Sequence, residues 1–373
     1  MARMHPAASA VVFALLLPCA AQDPAEAAAK TPFEIRAGKP VDAIPGEKHL
    51  KNVRQLTFEG ENAEAYWSHD GTKLILQRRT EAMGADQIYV LDLATGDLRL
   101  VSTGKGRTTC SYFLRGDQQI VFGSTHHHGD APPVVKMTGH GYQWAVHQEY
   151  DIFVANADGS GLRQITDAPG YDAEATVCPA TGTIVFTSVR DGDLELYTME
   201  PDGTNVKRIT NRPGYDGGAF FSPDGKKLVL RSAFPKDAAR AAEDQTLLGQ
   251  QIVRPSHMEI TVCNRDGSDF RQVTRNGAAN FAPFWHKDGK RILFASNWRG
   301  VEQAAKTGDR SAARLFNLYL INEDGTGIEQ VTHSTEFDSF PMFSPDSRHL
   351  VWASNRFNAK PGETNLFVAE WID

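Results

Sequence analysis

One strand–turn–strand phrase recurs along the chain and constrains its fold more than any other feature. In its clearest copy, residues 215–230, a β-prone apolar run ends at Phe221 and a second extended run covers residues 228–230. Between the two runs stands Ser222-Pro223-Asp224-Gly225, which supplies the turn chemistry of a β-hairpin. Because one such unit cannot bury its own apolar faces, its copies must stack against one another in a repeat architecture.

The phrase occurs in six copies, and their spacing defines a unit of about 45 residues. The first strands of the six copies begin at Asn62, Thr108, Asp172, Asp216, Asn280 and Asp338. The steps between them are 46, 64, 44, 64 and 58 residues, so three units carry insertions. Each unit continues with a third strand, usually an Asp-Gly turn, and a fourth strand of the Arg-Gln-Leu-Thr type.

The two ends of the repeat region complete one another. The last unit has strands at residues 340–343, 349–353 and 365–371, and the chain then stops without a fourth strand. An orphan strand of the fourth type stands at residues 53–57, before the first hairpin. A strand from the N-terminal side that completes the last blade would close a ring and remove its unpaired edges. The sequence therefore predicts an all-β fold: a six-bladed β-propeller of four-stranded antiparallel blades at residues 50–373, its last blade closed by the N-terminal strand.

The repeat motifs resemble those of a known family. The runs Phe221-Ser222-Pro223-Asp224-Gly225-Lys226 and Phe343-Ser344-Pro345-Asp346, with Asp-Gly turns followed by Arg-Gln-Val-Thr, are similar to the WD-like repeats of TolB-type six-bladed propellers. The resemblance covers roughly residues 50–373. It implies a periplasmic protein with an envelope partner. TolB itself also has an N-terminal α/β domain, and we expect none here because fewer than about thirty residues lie between the signal and the ring.

The N-terminal residues predict export. Arg3 precedes an apolar stretch at residues 7–17 and the small residues Cys19-Ala20-Ala21, as in a Sec-type signal peptide cleaved after Ala21. The alternative is a lipoprotein signal with a lipid anchor at Cys19. We assign residues 1–21 to the signal and residues 22–49 to a linker, and we expect a periplasmic or secreted monomer without a transmembrane segment. The formal charge of -7, spread without long runs of one sign, argues against a nucleic-acid partner.

Strand order decides which loops share a face. In an antiparallel meander the hairpin turns and the Asp-Gly turns lie on one face of the ring, which is uniform. The three insertions, residues 125–150, 233–257 and 298–314, lie on the other face with the starts of the first strands. We expect a short helix from Ala238 in the second insertion. Long insertions gathered on one rim predict the binding surface.

Two sets of residues on that face are candidate binding groups. The first is a ring of polar side chains that begins every first strand, together with the acids and bases near it: Asn62, Glu64, Thr108, Asp172, Glu174, Arg190, Asp216, Asn280, Asp338 and Arg356. Such a ring would suit Ca²⁺, another divalent metal or a cationic partner group. The alternative is structural: short polar side chains cap the incoming loops and pair with the arginines of neighbouring strands.

The histidines of the first insertion are the second set. In an extended chain His126 and His128 point to the same side and His127 to the other, so His126 and His128, with His140 or His147, form a candidate transition-metal site. The alternative is a solvated polar loop.

These patterns favour a binding module over an enzyme. Gly-x-Ser-x-Gly, His-Glu-x-x-His and a phosphate-binding Gly-rich loop are absent from the sequence, and we assign no catalytic residue and no required cofactor. The expected partner is an envelope protein or a cell-wall or carbohydrate ligand. The alternative is a metal-dependent propeller lyase or hydrolase acting on a carbohydrate or peptide, using His126 and His128 with Asp172, Glu174 and Asp216.

Overall fold

The computed structural model describes residues 33–139 and 141–373. Within the compact unit Ile35–Asp373, antiparallel sheets form the six blades of a propeller. The predicted all-β, six-bladed fold is confirmed. The strands are β1 (Lys39–Pro40), β2 (Leu50–Gln55), β3 (Glu61–Trp67), β4 (Lys73–Arg79), β5 (Gln87–Asp92), β6 (Leu98–Leu100), β7 (Thr108–Phe113), β8 (Gln119–Ser124), β9 (Trp144–Ala145), β10 (Asp151–Asn156), β11 (Arg163–Gln164), β12 (Asp172–Val177), β13 (Ile184–Ser188), β14 (Glu195–Met199), β15 (Lys207–Arg208), β16 (Asp216–Phe221), β17 (Lys227–Ala233), β18 (Ile252–Val253), β19 (Met258–Asn264), β20 (Arg271–Gln272), β21 (Asn280–Trp285), β22 (Arg291–Ser296), β23 (Asn317–Asn322), β24 (Glu329–Gln330), β25 (Asp338–Phe343), β26 (His349–Ser354) and β27 (Asn365–Trp371).

Strand pairing closes the ring as predicted. The first five blades are β3-β4-β5-β6, β7-β8-β10-β11, β12-β13-β14-β15, β16-β17-β19-β20 and β21-β22-β23-β24. In the sixth, β2 pairs with β27, with Leu50 opposite Trp371 and Gln55 opposite Phe367. The sixth blade also gains β1, which pairs with β2 inside the stretch assigned to a linker. Within that stretch, Lys39–Pro40 therefore contributes an edge strand to the propeller.

The blades bury both of their faces, which explains why the inner strands read as continuous apolar runs. Residues 74–76 of β4, Leu-Ile-Leu, are fully buried in succession. Apolar residues at consecutive positions of a short strand are what a doubly covered sheet requires. Trp285 and Trp352 are among the largest fully buried side chains.

Each first strand contains a β-bulge near its start. Pairing with the second strand shifts register there in every blade. The six bulge residues all have positive φ, between 44° and 58°: Glu64, Cys110, Glu174, Gly218, Ala282 and Phe340. A bulge re-aims the side chain that it carries. We call these six residues the bulge ring.

The insertions contain most of the structure outside the blades. They hold helix α1 (Ala238–Leu248), helix α2 (Trp298–Thr307), and 3-10 helices at His126–His128 and Arg310–Arg314. Helix α1 confirms the predicted short helix, and the Asp237 side chain caps it by accepting from the Arg240 amide at 2.8 Å. Strand β9 of the first insertion pairs with β18 of the second. Among the described residues, no helix has the length and apolar character needed to cross a membrane.

Candidate functional site

The insertions surround a cavity of about 1340 Å³. All three contribute to its lining, with Tyr142 and Trp144 from the first, His257 from the second, and Val301 and Arg314 from the third. The bulge-ring members Glu64, Cys110, Glu174 and Phe340 also line it. We call this space the mouth cavity. It lies where the sequence predicts the binding face.

One side of the mouth cavity is a wall of aromatic rings. Ring centroids lie 5.0 Å apart for Trp144 and Phe281, 5.3 Å for the stacked pair Phe281 and Phe316, and 5.6 Å for Phe316 and Phe337. Phe340 of the bulge ring lies 6.5 Å from Phe337. We call these five residues the aromatic wall. Their rings form an apolar surface against which the apolar part of a ligand could pack.

Glu174 is held by a network of buried donors. Arg231 forms an ion pair with it, and the Tyr215 hydroxyl donates to its two carboxylate oxygens at 2.7 and 2.8 Å. The Thr187 hydroxyl at 2.6 Å and the Gly218 amide at 3.0 Å donate to Oε2. Both oxygens of this carboxylate therefore accept hydrogen bonds within the protein.

Two glycines of the opening phrase make room for this network. A Cβ atom on Gly217 would lie 2.5 Å from the Tyr215 hydroxyl and 2.7 Å from Glu174 Oε2. A Cβ atom on Gly218, whose φ is +58°, would lie 2.9 Å from Cζ of Arg231. The pair Gly217-Gly218 is therefore needed for the approach of Arg231 to Glu174.

Glu64, the neighbouring carboxyl of the bulge ring, is held very differently. The residue is half-buried, but its Oε2 atom is sealed from solvent and has no hydrogen-bond partner among the described residues. Burial raises the pKa of Glu64, against the opposing effects of the Cys110 thiol and Arg231. Burial also raises the pKa of Cys110, which therefore stays a thiol at neutral pH. Gln77 Oε1, Arg107 Nε and His147 Nδ1, which belong to three other lining residues, are likewise buried without a hydrogen-bond partner in the described chain.

A cluster of aromatic rings lies next to the bulge ring. Tyr66 lies 5.4 Å from Tyr112 and 5.7 Å from Phe220, and Phe220 lies 5.3 Å from Phe284, measured between ring centroids. Three of these four rings, with the hairpin-turn residue Pro223, also line a separate cavity of about 260 Å³. That cavity belongs to the uniform face.

The predicted ring of polar side chains is buried and bonded within the protein. Arg190 pairs with Asp172 at 2.8 Å, Arg212 with Asp216 at 3.2 Å, and Arg356 with Asp338 at 3.0 Å. The other three members bond to backbone carbonyls: Asn62 to Glu59 and Thr364, Thr108 to Asp86, and Asn280 to Met258. These contacts are the ones that the structural alternative expects. Of the ten predicted binding residues, Glu64, Thr108 and Glu174 line the mouth cavity.

The predicted extended geometry of the histidine loop is wrong. Residues His126–His128 form a 3-10 turn, which brings the rings of His126 and His127 to 4.6 Å and packs both on Phe153. His126 Nδ1 lies 2.8 Å from the Ser124 hydroxyl, and His128 Nε2 lies 3.8 Å from an Asp151 oxygen. Among the described residues, no three His, Cys, Asp or Glu side chains could hold a metal together. His140 lies outside the described residues.

Asp216 predicts a pH dependence of stability. Burial raises the pKa of Asp216 to about 7, against the opposing effect of Arg212. The folded protein thus binds this proton more tightly than the unfolded chain, where an Asp titrates near pH 4. The contribution to stability is complete below about pH 4 and is lost as the pH rises to about 7. In urea unfolding between pH 4 and 8, the free energy of unfolding of the wild-type protein should therefore fall by roughly 1 to 4 kcal/mol because of Asp216. This fall should be absent from Asp216→Asn. Equal pH slopes for both proteins would contradict this assignment.

Several residues of the site carry weak sequence signals. Arg231 has the clearest, because it is a charged residue inside the apolar run of a central strand, Leu-Val-Leu-Arg-Ser-Ala. Cys110 occupies the same aligned position as Glu64 and Glu174, two residues after the start of a first strand. Trp144 and Gln77 have no local signal, since an insertion and a strand end normally contain such residues.

Comparison with known proteins agrees with the architecture. A family model described as the TolB beta propeller domain matches residues 142–254. A curated relative named Protein TolB homolog, from Chlorobium luteolum, is 26% identical over 164 residues, which cover 34% of this chain and 35% of the relative. Dipeptidyl-peptidase 5 of Porphyromonas gingivalis is 28% identical over 250 residues, covering 59% of this chain and 35% of the relative. The matches thus span about a third of the length of these curated relatives.

A solved structure shares the fold. The structure assigned to TolB of Agrobacterium tumefaciens superposes with a TM-score of 0.53 at 17% identity, covering 84% of this chain and 91% of that one. At this identity the similarity speaks for the fold alone. The repeats, the blade topology and the matched family model agree in showing the similarity of this chain to TolB-type β-propellers.

Proposed function

We propose that the protein is an exported binding module that admits a ligand, or a segment of an envelope partner, into the mouth cavity. The observation that carries this proposal is a single cavity with all three insertions in its lining and four members of the bulge ring beside them. Pockets for small ligands usually have volumes of about 300 to 1,000 Å³. The mouth cavity, at about 1340 Å³, is large enough for such a ligand or for a short peptide loop.

The chemistry of the lining fits binding. The aromatic wall supplies apolar area, and four polar lining residues each have a side-chain atom without a hydrogen-bond partner among the described residues: Glu64, Gln77, Arg107 and His147. Few convergent polar groups within an apolar surface are typical of sites that orient a ligand. Strained backbone also concentrates at functional sites, and five of the six bulge-ring residues are non-glycine residues with positive φ.

The expected setting of this module is the periplasm or the outside of the cell, and it rests on the signal sequence predicted at residues 1–21, which lie outside the described residues. The proposed partners are an envelope protein or a cell-wall or carbohydrate ligand. The relatives themselves differ in name, one a TolB homolog and one a peptidase, so fold alone does not choose a partner.

Photo-crosslinking in intact cells tests the proposed binding face. Tyr142 lines the mouth cavity and is 59% exposed, so a benzoylphenylalanine placed there should react with whatever occupies the mouth. The matched position on the uniform face is Lys226, whose side chain is 81% exposed in a hairpin turn. Mass spectrometry of the labelled protein detects adducts of small molecules as well as of proteins.

We expect a specific adduct from position 142 that position 226 does not give. Trp144→Ala should reduce it, because the variant removes the ring between Tyr142 and the rest of the aromatic wall. The same adducts from both positions, or an adduct at position 142 that Trp144→Ala leaves unchanged, would refute the mouth cavity as the binding site.

A further inference from the structure

We propose that the group admitted to the mouth cavity is an organic cation, whose ammonium group meets Glu64 while its apolar body lies on the aromatic wall. This inference rests on the proposed function and adds the chemical class of the ligand. It is carried by the pairing of charges in the cavity, by the unused acceptor atoms, and by the aromatic wall.

The charges around the cavity leave one acid without a partner. Arg231 pairs with Glu174, Arg107 with Asp86 at 3.1 Å, and Arg79 with Glu61. Glu64 is the lining carboxyl that has no ion pair in the described part of the chain. Arg314, a further lining cation, is exposed, where its charge is solvated. A cationic ligand would therefore supply the ion-pair partner that Glu64 lacks among the described residues.

Two acceptors in the lining favour a ligand with hydrogen-bond donors. Glu64 Oε2 and Gln77 Oε1 are sealed from solvent and have no hydrogen-bond partner among the described residues. Arg107 Nε is a lining donor in the same condition, but its guanidinium pairs with Asp86. Both acceptors belong to the first blade, where Gln77 lies opposite Ala63, the residue before Glu64. An ammonium group has three donors and no acceptor, so it can bond to both side chains once they turn toward the cavity. A carboxylate or phosphate ligand would leave both unpaired and would face a second acid, Glu174.

The aromatic wall already accommodates a cation. The Arg231 guanidinium lies over the Trp144 ring at 4.9 Å from its centroid. Such cation–π contacts stabilise a cation more strongly where both groups are shielded from solvent. Phe281, Phe316 and Phe337 extend the same wall without a charged group over them in the described structure, which leaves their faces to the body of a ligand.

Three phenyl-bearing probes of similar size and different charge test the inference. Ligand-observed NMR titrations at pH 7.5 would compare 2-phenylethylamine, a cation, with the neutral 2-phenylethanol and the anion phenylacetate. We expect the wild-type protein to bind the amine at least about fivefold more tightly than the alcohol, and the anion more weakly than both. Equal affinities for the amine and the alcohol, or no saturable binding of the amine, would overturn the inference.

Variants then assign the preference to Glu64. Glu64→Gln keeps the side-chain shape and should bring the amine and alcohol affinities together, whereas the control Glu81→Gln should not. Glu81 has a 93% exposed side chain and lies outside the cavity lining. Glu81→Gln therefore removes the same charge as Glu64→Gln, but away from the mouth cavity. An amine preference that survives in Glu64→Gln would overturn the assignment. The wild-type ranking of the three probes remains decisive if that variant does not fold.

The test separates this inference from the proposed function. Trp144→Ala should weaken binding of the amine and of the alcohol alike, because both use the aromatic wall. If Trp144→Ala weakens both while wild-type protein shows no charge preference, the mouth cavity binds ligands but not by their ammonium group, and only this inference fails.

Discussion

Replacing Arg231 by methionine is expected to lower the free energy of unfolding by about 3 to 5 kcal/mol. The substitution removes the partner of Glu174 but leaves that carboxylate buried beside the Tyr215 and Thr187 hydroxyls. Methionine has about the right length to fill the space of the arginine stem, so the loss comes from an uncompensated buried charge rather than from a cavity. Urea unfolding of wild-type protein and Arg231→Met at pH 7.5 measures this difference in the free energy of unfolding.

A second substitution checks the cause. In Glu174→Gln/Arg231→Met neither charge of the ion pair is left, and the double variant should recover at least about 1 kcal/mol relative to Arg231→Met alone. The control is Arg299→Met, which removes an exposed ion pair with Glu302 and should cost less than about 1 kcal/mol. A double variant less stable than the single one would show that the network is not held by charge pairing.

Arg356→Met is expected to lower the free energy of unfolding by a similar amount, about 3 to 5 kcal/mol, at a different place in the ring. Arg356 donates to Glu47 at 2.9 and 3.0 Å and to Asp338 at 3.0 Å, and the side chains of both acids are fully buried. Glu47 precedes the closing strand β2 and Asp338 begins the sixth blade, so the arginine ties the two sides of the ring closure together. Its loss leaves two unpaired carboxylates at the closure.

Urea unfolding at pH 7.5 measures the effect of Arg356→Met, with Arg348→Met as the control. Arg348 is 67% exposed and lies 3.9 Å from Asp346, so its removal should change the free energy of unfolding by less than about 1 kcal/mol. A loss of stability in Arg356→Met no larger than that in Arg348→Met would contradict this account of the closure.

The fold was predictable from sequence because its signal is repeated. Six hairpin phrases, each with turn residues that only a tight turn requires, outweigh the irregularity of any one copy. The ring closure followed from counting strands, since the last unit lacked one and the first had one to spare. The bounds moved by a few residues, from 53–57 to Leu50–Gln55, which is where pairing rather than propensity decides.

The site was harder to predict because a bulge changes which side chains face the channel. In a regular strand Asn62 and Glu64 share a face, so the sequence favours both as channel residues. The bulge at Glu64 breaks that relation: Asn62 bonds to the Glu59 and Thr364 carbonyls, while Glu64 lines the mouth cavity. Register shifts of this kind depend on the partner strand and leave no mark in the strand's own composition.

The loops were predictable in position but not in shape. Strand order correctly indicated that the three insertions gather on one side, since all of them line one cavity. The turn at residues His126–His128 and the pairing of β9 with β18 arise from contacts between distant segments. The pairing of β9 with β18 positions Trp144 in the aromatic wall. No periodicity within the first insertion predicts this position.

The effect of Trp144→Ala on the adduct formed at position 142 in intact cells tests whether the mouth cavity is the binding site. We expect a benzoylphenylalanine at position 142 to give a specific adduct whose yield falls several-fold in the Trp144→Ala variant, at equal levels of folded protein. An unchanged yield, or an equal adduct at position 226 on the uniform face, would contradict a binding site in the mouth cavity.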